Sequence, residues 1–309
     1  YGRVEIRATA VGADTSLEKI IRLVNEANSH KAPMQRLADR WASILVPAAL
    51  CVALATLVVC HFALGIGLRA SLTRAVTVLV TFCPCALALA TPTSVMAAIG
   101  QATNRGVLVK TGEALERMGA VDTVTFDKTG TLTKGTWANA LARDADGRIL
   151  AGANMDVADE LRETAPETVR RLRALGVRSY LLTGDHREIA ETFAAACGIA
   201  DVRADLLPEE KVNAVKALTA EGRHVAMVGD GVNDAAAMKY ADVGIAMAGA
   251  GTDVAAEASD IAIMNDDIAS VAYLKRLATA CLNTIRFNIT LSMTINFVAV
   301  LLGVLGIMT

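Results

Sequence analysis

The sequence predicts an α/β domain, built on a parallel β-sheet, that is joined to transmembrane α-helices. Hydrophobic residues make up 53% of the 309 residues although 20% are charged, so the apolar residues must be clustered. Between residues 105 and 286, short apolar runs alternate with helical patterns, which is typical of a parallel sheet covered by helices. Short polar motifs follow several of these apolar runs.

Three stretches without Lys, Arg, Asp or Glu are long enough to cross a bilayer, namely residues 41–68, 75–104 and 287–309. Basic residues flank them, and only Arg69 and Arg74 lie in the short turn predicted between the first two. This bias predicts a multi-pass protein of the cell membrane whose 105–286 segment is cytoplasmic. The net charge of −2 gives no indication of a nucleic-acid partner. The six cysteines are expected to be free thiols.

Five apolar runs are predicted to be strands, and three stretches between them are predicted to be helices. The strands are 121–127, 177–183, 224–230, 243–247 and 260–264. The helices are 186–197, 209–221 and 232–241. Because ligands bind beyond the carboxyl ends of parallel strands, the polar residues at these ends should line one crevice.

The residues at these strand ends fit phosphoryl transfer, which needs a nucleophile, a metal ion and groups that offset negative charge. Asp127 is the candidate nucleophile and would form an aspartyl-phosphate. Mg²⁺ prefers oxygen ligands, so Asp127, Asp230 and the backbone carbonyl of Thr129 are its candidate ligands. Lys211 offers a positive charge to the phosphoryl oxygens, and Thr183 offers a hydroxyl and a backbone amide.

Two glycines and two polar residues complete the predicted crevice. Gly130 and Gly184 allow the backbone to approach closely. Asn233 and Asp234, at the start of a predicted helix, would orient Lys211 and the phosphate. The candidate catalytic residues are therefore Asp127, Lys211, Thr183 and Asp234, and the candidate cofactor-binding residues are Thr129, Gly184, Asp185 and Asn233.

Four motifs occur in order along this segment: DKTGTLT at 127–133, TGD at 183–185, PEEK at 208–211 and GDGVNDAAAM at 229–238. Together they resemble the phosphorylation domain of P-type ATPases, within the haloacid-dehalogenase-like superfamily with its Rossmann-type parallel sheet. The resemblance implies that ATP, with Mg²⁺, phosphorylates Asp127 and that the aspartyl-phosphate is then hydrolysed in each transport cycle. Phosphatases of the superfamily carry a second acid where this chain has Thr129. Without that general acid, the phosphoenzyme should turn over slowly.

Residues 76–95 contain the sequence Cys-Pro-Cys at 83–85. Pro84 and Pro92 each interrupt helical hydrogen bonding, which membrane helices tolerate where they line a cavity. Thiolates of Cys83 and Cys85 would select soft or borderline ions. Placed just before a phosphorylation motif, Cys-Pro-Cys resembles the ion-binding helix of the heavy-metal subfamily of P-type ATPases. This implies ATP-driven export of a Cu⁺ or Zn²⁺/Cd²⁺-class cation, with the ion and the lipid bilayer as partners and a metallochaperone as a further candidate.

The transported metal stays open. Ile295-Asn296 stands where copper pumps of that subfamily often carry Tyr-Asn, and the Lys typical of zinc and cadmium pumps is absent from this window. Met293, which suits Cu(I), and Asn296, which suits a harder divalent ion, are further candidate ligands. Packing between membrane helices is the alternative explanation for a polar face here.

The resemblance predicts a domain organisation with missing parts. Residues 1–38 would be the end of an actuator domain and its linker, 39–104 two transmembrane helices, 105–278 the phosphorylation domain, and 279–309 a transmembrane helix. A large nucleotide-binding insert is expected after the phosphorylation motif, but only a shortened one, at about 136–158, is present, so the chain should be incomplete for turnover. Two alternatives remain, a membrane-anchored phosphatase, which would need an acid at residue 129, and a non-catalytic remnant.

Overall fold

The computed structural model describes residues 33–81, 85–134, 160–230, 234–247 and 259–305. The chain forms two compact units. The first takes in the described residues of Tyr1–Gly100, Thr111–Glu116 and Thr279–Thr309, and the second those of Gln101–Lys110 and Arg117–Ala278. The predicted domain boundaries stay predictions.

The described part of the chain contains helices and strands in the following order. The helices are α1 Pro33–Val58, α2 Leu68–Thr81, α3 Cys85–Thr103, α4 Gly112–Ala120, α5 Ala165–Ala174, α6 Arg187–Cys197, α7 Pro208–Ala220, α8 Ala235–Tyr240 and α9 Ala269–Val304. The strands are β1 Val107–Val109, β2 Thr123–Asp127, β3 Arg178–Leu182, β4 Asp201–Arg203, β5 Val225–Gly229, β6 Val243–Met247 and β7 Ile261–Ile263.

Two helical stretches of the described residues are long and apolar enough to cross a membrane, Val46–Ala63 and Ala269–Val304. Their apolar side chains are widely exposed, as in Leu54, Phe62 and Phe297, at 62%, 79% and 73%. Contiguous apolar surface of this kind is typical of a membrane-facing helix.

The turn after the first apolar stretch lies at residues 64–67, so its predicted position at Arg69 and Arg74 is wrong. Both arginines belong to α2. Gly65 has a φ of 62°, a conformation that glycine adopts without strain and that stops the preceding helical turn. The hydroxyl of Ser71 donates to the carbonyl of Ile66, which satisfies one acceptor where α2 begins.

The second unit is built on a sheet of seven described strands in the order β1-β7-β6-β5-β2-β3-β4. All neighbouring pairs are parallel except β1 and β7, which are antiparallel. The predicted α/β fold class is confirmed, and all five predicted strands are present with ends shifted by up to two residues. β1 and β4 were not predicted. Strand β4, Asp201–Arg203, has a charged residue at each end and so contains no apolar run.

The middle of the sheet is buried on both faces. Every residue of β2, β5 and β6 is buried, as expected for parallel strands covered by helices. Under α7 and α8, the core includes Leu182, Val215, Met227 and Met238. This packing fixes the carboxyl ends of β2, β3 and β5 at one edge of the sheet, with Asp127 as the last residue of β2.

Candidate active site

Lys211 lies between two carboxylates at the carboxyl edge of the sheet. Its Nζ donates to Asp127 Oδ1 at 2.5 Å and to Asp234 Oδ1 at 2.9 Å. All three residues are buried, with exposed fractions of 8%, 6% and 0% for Lys211, Asp127 and Asp234. Strand β2, helix α7 and the start of α8 each contribute one of them, as the motif order predicts.

The charges in this crevice are unbalanced in the negative direction. Burial and the nearby carboxylate of Asp234 raise the pKa of Asp127 to about 7, although the Lys211 ammonium opposes the shift. Burial also raises the pKa of Asp234, again against the effect of Lys211. Burial disfavours the charge on Lys211, but the two carboxylates outweigh it and raise the Lys211 pKa. Two carboxylates around one ammonium, with Asp230 close by, form a site that favours an additional cation.

The loop after Asp127 wraps back on itself. Thr129 has extended backbone angles and Gly130 has a φ of 69°, so the chain reverses at the glycine. The Gly130 amide donates to Thr133 Oγ1 at 3.1 Å. A Cβ added to Gly130 would lie 3.4 Å from the Cβ of Asp230, so the loop passes directly over Asp230. The predicted close approach at Gly130 is therefore present.

The TGD segment after β3 borders the same crevice. Thr183 is buried, and its hydroxyl accepts the amide hydrogen of Asp185 at 3.1 Å. Its own amide donates to the Arg203 carbonyl at 3.0 Å. The predicted role of that amide in phosphate binding is therefore wrong, because β4 already uses it, while the hydroxyl remains a candidate. At Gly184 an added Cβ would come within 3.2 Å of the Leu206 carbonyl.

Mg²⁺ fits this crevice by the chemistry of its donors. Asp127 ends β2, Asp230 directly follows the neighbouring strand β5, and both offer hard oxygens. The Thr129 carbonyl lies on the loop that crosses Asp230. Among the described residues, no group of three or more His, Cys, Asp or Glu side chains has metal-binding geometry. Mg²⁺ usually takes one or two carboxylates and completes its coordination with waters and substrate phosphates, so Asp127 and Asp230 can be its side-chain ligands.

Several predicted residues lie outside the described part of the chain or outside this crevice. Asn233 and Cys83 are outside the described residues, and for Cys85 only the backbone, at the start of α3, is described. Met293 and Asn296 are half-buried on α9, three residues apart and so on one face of that helix. Their predicted role stays a prediction.

Three residues of the crevice were missed by sequence reasoning. Lys128 is buried and its Nζ lies 2.7 Å from Asp185 Oδ2, which joins the loop after β2 to the TGD segment. Gly229 leaves no room for a side chain, because an added Cβ would lie 2.6 Å from Asp234 Oδ2. Arg162, just after the shortened insert, donates into the loop after Asp127. Lys128 and Gly229 stand inside the recognised motifs, so a closer reading of those motifs was the available signal.

The fold and the crevice together define a phosphotransfer domain of the haloacid-dehalogenase-like class. Residues 145–242 match a protein family described as "haloacid dehalogenase-like hydrolase". Along its whole length the chain is related to heavy-metal-transporting P-type ATPases, as the predicted resemblance implied. It is 31% identical to the cadmium-transporting ATPase of Staphylococcus aureus, covering 100% of this chain and 56% of that protein. It is 32% identical to the copper-exporting P-type ATPase of Bacillus subtilis, covering 99% of this chain and 50% of that protein.

The crystal structure of a zinc-transporting PIB-type ATPase in its E2.Pi state has the same fold. The TM-score is 0.75 at 29% identity, over 97% of this chain and 64% of that one. The chain spans about half the length of the curated relatives it matches. The alignment with the cadmium-transporting ATPase runs over 410 positions, whereas this chain has 309 residues, so at least 101 of those positions (410 less 309) have no counterpart here.

Proposed function

We propose that this chain is the phosphorylated and ion-binding part of a pump that exports a soft or transition-metal cation at the expense of ATP. The observation that carries the proposal is the placement of Lys211 between Asp127 and Asp234 at the carboxyl edge of the sheet. A buried carboxylate beside an ammonium, at the end of a central strand, suits an in-line attack on a phosphoryl group.

In the proposed reaction a carboxylate oxygen of Asp127 attacks the γ-phosphorus of ATP. A bond forms between that oxygen and phosphorus as the bond from phosphorus to the bridging oxygen of ADP breaks. Lys211 offsets the charge that spreads over the transferred oxygens, and Asp234 holds Lys211 in place. When bound, Mg²⁺ would supply further charge neutralisation at the same oxygens through Asp127, Asp230 and the Thr129 carbonyl.

Water then attacks the phosphorus of the acyl-phosphate, the bond from phosphorus to the Asp127 oxygen breaks, and inorganic phosphate leaves, which returns Asp127 to its carboxylate. The hydroxyl of Thr129 cannot serve as a general acid near neutral pH, so the covalent intermediate should persist. Persistence is what a pump requires, because its conformational change takes place while the intermediate exists. The membrane-anchored phosphatase is the weaker candidate for the same reason.

The cargo is proposed to be a thiophilic cation bound by Cys83 and Cys85. The relatives are named for cadmium and copper, and the similar structure for zinc. All three ions accept thiolate ligands. Met293 and Asn296 on one face of α9 are proposed as further ligands. ATP would bind through the nucleotide-binding part, of which only the shortened segment at about 136–158, outside the described residues, is proposed to remain in this chain.

The proposal is tested with beryllium fluoride, which mimics a phosphoryl group on a carboxylate. The full chain in detergent, with Mg²⁺ and beryllium fluoride, should give a protein-bound fluorine signal in ¹⁹F NMR. We expect Asp127→Asn to abolish that signal, and to abolish acid-stable phosphorylation in the complete pump. Acid-stable phosphorylation that persists in the Asp127→Asn pump would overturn the assignment of the nucleophile.

A further inference from the structure

Arg162 has a buried guanidinium that donates four hydrogen bonds to one loop and one turn. The residue is 8% exposed. Its Nε donates to the Thr133 carbonyl at 3.0 Å, and its Nη2 to the Gly130 carbonyl at 3.3 Å. The rest of the fork is held by Asp266, whose carbonyl accepts from Nη1 at 2.6 Å and whose Oδ1 accepts from Nη2 at 2.7 Å. None of these partners is close to Arg162 in sequence.

The two carbonyls that Arg162 holds belong to the loop that follows the candidate nucleophile. The peptide on one side of Gly130 is fixed by Arg162 through the Gly130 carbonyl. The peptide on the other side is fixed by Thr133, whose Oγ1 accepts the Gly130 amide hydrogen. In a trans peptide the carbonyl and the amide point in opposite directions, so this second bond aims the Thr129 carbonyl away from Thr133. Arg162 and Thr133 therefore fix both peptides that flank Gly130, directly over Asp230.

The two ends of the shortened insert pair with each other beside this loop, and the backbone amide of Arg162 takes part in the pairing. Its amide donates to the Leu132 carbonyl at 2.9 Å, and the Lys134 amide donates to the Glu160 carbonyl at 3.1 Å. Thr133 and Leu161 form an antiparallel bridge between these bonds. The chain therefore leaves the phosphorylation loop and returns beside it at a closed stem, whatever lies between residues 134 and 160.

We propose that Arg162 is a positioning residue for phosphoryl transfer, which holds the loop 128–133 so that the Thr129 carbonyl and the Asp127 carboxylate present their oxygens to one Mg²⁺. The proposal rests on the proposed function of Asp127. Arg162 acts through the carbonyls of Gly130 and Thr133. Its anchor on the other side is the turn at Asp266, between β7 and α9, which is itself held by the bond from Thr164 Oγ1 to Asp267 Oδ1.

The geometry requires an arginine and not merely a positive charge. Only a guanidinium offers several donors in one fixed plane, and here that plane reaches two carbonyls of the loop and two acceptors of Asp266 at once. A lysine would keep the charge close to the Asp266 carboxylate but would reach fewer of the four acceptors. At least one loop carbonyl would then lose its buried donor.

The test measures the Mg²⁺ concentration that gives half of the beryllium fluoride adduct on Asp127, by ¹⁹F NMR on the full chain in detergent. We expect Arg162→Met and Arg162→Lys each to raise that concentration at least tenfold. Thermal unfolding is recorded for every variant, and the titrations are run well below the lowest unfolding midpoint. Arg170→Met is the matched control, because Arg170 is 78% exposed and, within the described part of the chain, pairs with Glu167 on the surface of α5.

The outcomes separate the inference from the function on which it rests. If the unchanged protein forms no adduct, the proposed function fails and the inference fails with it. If the unchanged protein forms an adduct and Arg162→Lys titrates with Mg²⁺ as Arg170→Met does, the positioning role is overturned. The same holds if Arg162→Lys lowers the unfolding midpoint without changing the Mg²⁺ titration, because that is the result of a purely structural role. Should Arg162→Met fail to fold, the Arg162→Lys titration alone decides the question.

Discussion

Lys211 is the residue on which the electrostatics of the crevice depend. Its ammonium is the positive partner of two buried carboxylates, Asp127 and Asp234. Removal of that charge would leave two like charges buried together, which is far more costly than the loss of a surface ion pair. The position of Asp234 decides whether Lys211 stays aimed at Asp127, and that position depends in turn on a glycine.

A substitution of Gly229 tests whether the position of Asp234 depends on this glycine. In Gly229→Ala the new Cβ would lie 2.6 Å from Asp234 Oδ2 and 2.7 Å from its Cβ, so Asp234 must move. The contact of Asp234 with Lys211, now 2.9 Å, would be lost, and overpacking of this kind costs about 1–3 kcal/mol of folding free energy. We expect at least a tenfold lower affinity for beryllium fluoride, measured by ¹⁹F NMR. Gly100→Ala is the control, because nothing lies within 4 Å of its added Cβ. Equal affinities in the two variants would refute the role given to Gly229.

The site residues that the sequence predicted stand in recognisable short motifs, whereas Arg162, which was missed, does not. Asp127, Lys211 and Asp234 stand in short motifs, so their convergence follows from the rule that ligands gather at the carboxyl ends of parallel strands. Arg162 was missed because its partner Asp266 is 104 residues away, and no pattern of types or spacings joins the two. The Thr183 amide was assigned to phosphate wrongly, because its real acceptor lies on β4, a strand without an apolar run in the sequence.

At the scale of elements, the buried residues of one helix beside the sheet are all small. Helix α6, Arg187–Cys197, buries Ala190, Ala194 and Cys197 and ends at Gly198 in the left-handed conformation. Its boundaries follow from the sequence, because the apolar face repeats at helical spacing and a glycine follows the last turn. Strands β5 and β6 were equally predictable, since each is a continuous apolar run of the length of a buried strand.

Helix α6 gives a prediction about stability and pH. Burial raises the pKa of the Cys197 thiol to about 11, above its ordinary value of 9.0. An unfolded chain therefore releases this proton from about pH 9, whereas the folded chain keeps it until about pH 11. The thiol's contribution to folding free energy is thus fully present below pH 9 and is lost between pH 9 and 11. We expect the unfolding midpoint of the unchanged protein to fall more steeply over that range than that of Cys197→Ala.

The comparison with Cys197→Ala uses slopes and not absolute midpoints. Loss of the buried sulfur changes packing by a constant amount, which the difference in midpoint at pH 8 records. Thermal unfolding of both proteins in the same detergent, from pH 8 to pH 11, gives the slopes directly. Parallel curves across this range would show that Cys197 is ionised equally in the folded and unfolded states.

At the scale of the whole molecule, the sheet unit and the apolar helices divide the proposed work. The crevice of the sheet unit is suited to phosphoryl transfer, whereas the cargo is assigned to Cys83 and Cys85 in the apolar stretch. Two neutral thiols cost little in a membrane, but an unpaired charge there costs at least ~2.5 kcal/mol. The thiols should therefore stay protonated until a cation arrives, and binding of the cation should release protons.

The last prediction follows from that proton balance and concerns the complete pump. Two thiolates neutralise a divalent cation and leave one negative charge in excess with Cu(I), so either class of ion can displace the protons. We expect Cys83→Ser and Cys85→Ser each to eliminate metal-stimulated phosphorylation, whether Cu(I), Zn²⁺ or Cd²⁺ is supplied, because a hydroxyl is a poor ligand for these ions and ionises far less readily than a thiol. Cys51→Ser is the matched control, since Cys51 is an exposed cysteine of α1. Phosphorylation by inorganic phosphate, which requires no cargo, should survive in all three variants and shows that the sheet unit is intact. Full activation of the double serine variant by all three ions would exclude Cys83 and Cys85 as the transport site.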